Sequence, residues 1–191
     1  MTTAAALVGD LLSDEDARAE AAVPALALFG EAALDLLLPL LRSQEAETRW
    51  WAVRATAAIP APRAAAGLTT SLEDDDPAVR QAAALGLRLQ PTPDAIPALV
   101  GRLADSDRLT ARLASDALAA IGPGALPETR RALASEAPAT RLHAARAIAL
   151  MKTKEAIPDL FAVLDDDSTL VRHWAERGLE ALGVGMVFFQ P

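Results

Sequence analysis

Asp76-Pro77-Ala78-Val79-Arg80-Gln81-Ala82-Ala83-Ala84-Leu85-Gly86-Leu87 is the stretch that decides the fold. Apolar or small residues fall at Val79, Ala82, Ala83, Gly86 and Leu87, offsets that line one face of an α-helix. The preceding Asp74-Asp75-Asp76 supplies a helix cap, and Pro77 suits the first helical position. The pattern then returns along the chain. Glu45 to Thr56 reads EAETRWWAVRAT, Ala137 to Ile148 reads APATRLHAARAI, and Ser168 to Leu179 reads STLVRHWAERGL. Arg18, Arg49, Arg80, Arg141 and Arg172 hold one register, and the fourth unit has Ala111 in that slot with Arg112 beside it.

A second marker keeps the same period. Ala95-Ile-Pro-Ala-Leu99, Ala125-Leu-Pro-Glu-Thr129 and Ala156-Ile-Pro-Asp-Leu160 recur at intervals of 30 or 31 residues. Leu41, Leu72, Leu103, Leu133 and Leu164 close these segments at matching spacing. Each period therefore predicts a short first helix and a longer second helix, and self-similarity at this length is the mark of a repeat array. The hairpins are expected at about 3–29, 31–59, 62–89, 93–121, 124–151 and 154–182, in one domain over 1–182. Gly122-Pro123-Gly124 is a break between units, and Pro24 predicts a kink or early stop in the second helix of unit one.

The Ile-Pro-x-Leu segment, the acidic turn and the Val-Arg-x-x-Ala-Ala helix resemble the HEAT repeat family, in particular the short bacterial HEAT-like repeats similar to those in phycobilin lyases. The resemblance covers nearly the whole chain and is sharpest in units three, five and six. It implies an all-α fold, an α-solenoid of about six helical hairpins wound as a right-handed superhelix, whose second helices line a concave surface. It also implies that the repeated arginines pair with turn acids of adjacent repeats, with Asp76, Asp107 and Asp167 as the acids; an arginine row that binds phosphate or carboxylate is the alternative.

Composition narrows the function. Among 191 residues, Ala and Leu dominate an apolar fraction of 52% while aromatics are only 4%, a helical rather than a β-sheet balance. The chain has no cysteine, which removes disulfides, thiolate catalysis and Cys-based zinc sites. A net charge of −8 argues against a general nucleic-acid binder, which needs a basic face. No apolar run is long enough to span a membrane and the N-terminus is a poor signal peptide, so a cytoplasmic location is expected.

No catalytic constellation emerges. The two histidines, His143 and His173, form no metal-binding pair, and the paired His-Glu motifs of iron-binding HEAT-repeat enzymes are missing. The expectation is a protein that is not an enzyme, with no metal and no cofactor. His143 falls at a core offset, as do Trp51 and Trp174. The acidic turns cap helix N-termini, and they do not match a calcium loop.

What varies between repeats is more informative. Two offsets on each second helix lie outside the packing set. The first reads Trp50, Gln81, Arg112, Leu142 and His173; the second reads Arg54, Leu85, Asp116, Arg146 and Arg177. Aromatic and arginine side chains are frequent anchors of protein interfaces. The reading is a non-catalytic scaffold or adaptor with a groove formed by Trp50, Arg54, Gln81, Arg112, Asp116, Arg146, His173 and Arg177. Its partner is another protein or peptide with an acidic portion; a solvated helix face is the competing reading. Resemblance alone supports a different role, a lyase- or chaperone-like factor for a tetrapyrrole or cofactor protein. The apolar tail at 183–191 is expected either to cap the last repeat or to dock into a partner.

Overall fold

The computed structural model describes residues 2–184. The expected tail therefore lies largely outside the described residues; within it, Gly183 adopts φ +76° just after the last helix, a left-handed turn that suits glycine. Among the described residues every regular element is helical. No described helix is long and apolar enough to cross a membrane.

The chain divides into two compact units, residues 1–98 and 99–191. The first holds α1 (Ala4–Leu11), α2 (Asp16–Ala27), α3 (Glu31–Leu40), α4 (Ala46–Ala57), α5 (Pro62–Ser71) and α6 (Pro77–Leu89). The division falls within α7 (Ile96–Arg102). The second unit holds α8 (Arg108–Ile121), α9 (Leu126–Leu133), α10 (Pro138–Met151), α11 (Ile157–Ala162) and α12 (Thr169–Ala181). First helices pack on the second helices that follow them, as α1 on α2, α5 on α6 and α9 on α10. Second helices pack on one another in succession, α2 to α4 to α6 in one unit and α8 to α10 to α12 in the other. This is the α-solenoid pattern that the repeat predicts, in which burial runs from neighbour to neighbour.

In the first unit Leu7, Leu11, Ala22, Leu26, Leu34, Leu37 and Trp51 form one buried cluster. Pro24 lies inside α2, and the helix stops soon after it, at Ala27. In the second unit Leu118, Ile148 and Leu160 are fully buried. Small residues occupy the closest approaches. A Cβ on Gly178 would lie 2.8 Å from Leu160 Cδ1, 2.9 Å from Ala149 Cβ and 3.0 Å from its Cα. One on Gly86, at the same repeat position, would lie 2.8 Å from Ala57 Cβ.

The repeated arginines join turns to turns. Arg49 donates from Nη1 to the Ser43 and Gln44 carbonyls, then forks onto Asp74 with Nε at 2.7 Å and Nη2 at 2.8 Å. Arg141 repeats this with the Ser135 and Glu136 carbonyls and with Asp166 at 2.7 and 3.0 Å. Each guanidinium thus satisfies carbonyls left over beyond its own first helix and bonds the acid of the next turn. Of the expected acids, Asp167 pairs with a repeated arginine and Asp76 needs correction. Asp167 does contact Arg141, at 2.5 Å, but the forked partners are Asp74 and Asp166. Asp76 instead caps α6, accepting from the Ala78 and Val79 amides; Asp107 accepts from Thr110 at the start of α8 and keeps a further interaction besides. Arg18 pairs with Asp10 of its own hairpin.

Candidate functional site

The residues expected to form one groove fall in both units, and each group is described within its own unit.

In the first unit, Trp50 and Arg54 lie one turn apart on α4, both half-buried. The Arg54 Cζ sits 4.9 Å from the Trp50 ring centre and 5.5 Å from that of Trp51. The two indoles meet edge to face, 4.8 Å between centres. The Arg54 guanidinium also forks onto Glu20 of α2, at 2.7 and 2.8 Å. It is therefore held between a carboxylate and an aromatic face, the two environments that favour a guanidinium. Gln81, the third expected residue of this unit, is half-buried on α6 and keeps a partner of its own.

Beside this cluster is a hollow of about 420 Å³ between the starts of α2, α4 and α6. Trp50 and Trp51 line it together with Asp16, Glu20, Glu47 and Asp76. Trp51 was expected as core alone; it is only 5% exposed, yet it borders this hollow. The acids were not anticipated as site residues. The signal existed for Glu20, which stands close to one period before Arg54 and so reaches it from the preceding second helix.

The second unit gathers a different group. On α10, Arg146 donates from Nη2 to Asp116 of α8 at 2.5 Å, while its Cζ lies 4.7 Å from the Trp174 ring centre on α12. Arg177 reaches the same indole at 5.3 Å, and the His173 ring meets it edge to face at 6.0 Å. Asp116, Arg146, His173 and Arg177 are thus brought together, with Trp174 at their centre. That indole was expected as core and is instead half-buried beneath two guanidinium groups. Arg112 stands apart, exposed on α8. Among the described residues neither Arg112 nor Arg177 has an ion pair, whereas Arg54 and Arg146 are both committed to carboxylates.

His143 is half-buried rather than core, and its Nδ1 is enclosed without a hydrogen-bond partner among the described residues. Burial and, less strongly, the Arg146 charge push its pKa below the ordinary histidine value, with Asp116 opposing. It therefore stays neutral more readily than a free histidine.

Comparison with known proteins places the architecture. A family model described as HEAT repeats matches residues 4–88, 67–125 and 96–180. No curated protein matches the chain. A HEAT-like repeat protein of the archaeon Thermococcus onnurineus NA1 is similar in fold, with 17% identity, 98% of this chain and 83% of that one covered, and a TM-score of 0.68. The CpcE–CpcF complex of phycocyanin lyase from Nostoc sp. PCC7120 is similar at 26% identity, 96% and 78% coverage, and a TM-score of 0.56. A designed armadillo repeat protein, solved in complex with the peptide (KR)4, shares 21% identity over 95% of this chain and 100% of that one, at a TM-score of 0.55. With family matches running from the first helix to the last, the chain belongs to the HEAT-repeat family.

Proposed function

We propose that this protein is a non-catalytic binding scaffold that holds a protein or peptide against the outward faces of its second helices. One observation carries the reading. The second-helix offsets outside the main core face bear Trp50 and Arg54 in one unit and Arg112, Arg146, His173 and Arg177 in the other, all half-buried or exposed. Large aromatic and guanidinium groups left at such positions are anchors rather than filler. The faces differ in character. The first unit offers indoles rimmed by carboxylates. The second offers Arg112 and Arg177, which have no carboxylate partner among the described residues, and an acidic portion of the partner suits that face.

Paired affinity capture tests the proposal. Wild-type protein serves as one bait, and Trp50→Ala and Arg112→Glu/Arg177→Glu variants of verified fold serve as the others. Specific partners should be recovered with wild type and depleted with the variants. Identical recovery from every bait overturns the reading.

A second reading follows from likeness to the phycocyanin lyase complex, which is 26% identical to this chain over 96% of its length. In that reading the chain assists a tetrapyrrole-bearing protein. Mixing with a bilin should then shift the pigment's absorbance, and an unchanged spectrum removes it.

A further inference from the structure

The hollow of the first unit specifies a partner chemistry more narrowly than the scaffold reading on which this inference rests. Its floor is aromatic, Trp50 and Trp51, and its rim is acidic, Asp16, Glu20, Glu47 and Asp76. Aromatic faces and carboxylates have one ligand type in common, a cation with an apolar stem.

The protein shows that this set accepts such a group. Arg54 already lies 4.9 Å from the Trp50 centre and forks onto Glu20. The remaining acids are unequally engaged. Asp76 is occupied in capping α6. Among the described residues Asp16 and Glu47 have no hydrogen bond or ion pair from their side chains, and both are exposed. Charge favours a cation overall. Four acids and no base line the hollow; Arg54 pairs with Glu20 and Arg49 acts on Asp76, which leaves Asp16 and Glu47 as its uncompensated charges. A volume of about 420 Å³ admits an extended side chain but not a folded domain.

We propose that this hollow receives arginine or lysine side chains from a basic peptide segment of a partner protein, with the cation between Trp50 and the free carboxylates of Asp16 and Glu47. The indole supplies the face, and the carboxylates supply direction and charge.

A fluorescently labelled oligo-arginine peptide, with its oligo-glutamate counterpart as control, tests this by anisotropy at low ionic strength. The full chain should bind the basic peptide and not the acidic one. Asp16→Asn/Glu47→Gln should weaken binding about tenfold, the sum of two exposed charge pairs. Trp50→Phe keeps a ring in place and should weaken binding less than Trp50→Ala. Arg108→Gln, at an exposed residue of α8 outside the hollow, should leave it unchanged. Absence of binding by wild type overturns the proposal, and so does binding that the Asp16/Glu47 variant leaves unchanged. Either result leaves the scaffold reading standing, because the Arg112/Arg177 baits decide that reading separately.

Discussion

Arg49 and Arg141 show how little of a repeat's chemistry depends on residue type alone. Their register was legible because the arginines recur at one spacing. The acids they choose were not. In Asp74-Asp75-Asp76 the backbone assigns Asp76 to cap α6 and leaves Asp74 facing Arg49, a distinction made by turn geometry rather than composition. The pairing sets a pH response. The Arg141 hydrogen bonds, outweighing burial, hold Asp166 at about 2, below its ordinary value near 3.8. A carboxyl lowered on folding contributes stability above its unfolded value, and that stability is lost as pH falls from about 4 towards 2. His143 acts earlier. Burial and Arg146 lower its folded pKa, so below about pH 6.5 the unfolded chain takes the proton first and stability drops. Denaturant unfolding should therefore show lower stability at pH 5 than at pH 7, and His143→Leu should flatten that part of the profile. An unchanged slope in the variant would contradict the assignment.

Among helices, the limiting dimension is the gap between successive second helices. Gly86 and Gly178 occupy one repeat position, where Ala55, Ala117 and Ala147 stand in other units. The tight approach to Ala149, backbone included, explains why nothing larger fits at Gly178. Gly178→Ala should lower stability by about 1–3 kcal/mol through overpacking. Gly9 in α1 is the contrast. Among the described residues nothing lies within 4 Å of its Cβ position, so Gly9→Ala should raise stability by roughly 0.5–1 kcal/mol. Thermal unfolding of the two variants compares them directly, and shifts of equal sign would refute the packing argument. Elements of this kind were readable from the 3.6-residue period. The hollow was not, because Asp16, Glu47 and Asp76 belong to three helices whose starts meet only after folding.

For the molecule as a whole, 26 acidic against 18 basic residues give a field that draws cations. Association with a basic peptide should therefore slow steeply as salt rises, while dissociation changes less. Stopped-flow measurements at several ionic strengths would show it, and salt-independent association would speak against electrostatic steering. Composition made this charge legible; the opposite characters of the two second-helix faces were not, since Arg54 and Arg146 look free in sequence and are neutralised in space. The arginine fork has a last consequence, for evolution. Each fork reaches just one turn ahead, Arg49 to Asp74 and Arg141 to Asp166. Excising or duplicating one full period keeps the 25-residue step from an arginine to the matching position of the next turn, whereas an indel of a few residues breaks it. Length in this lineage should therefore change by complete modules, and the fork sets the size of the step.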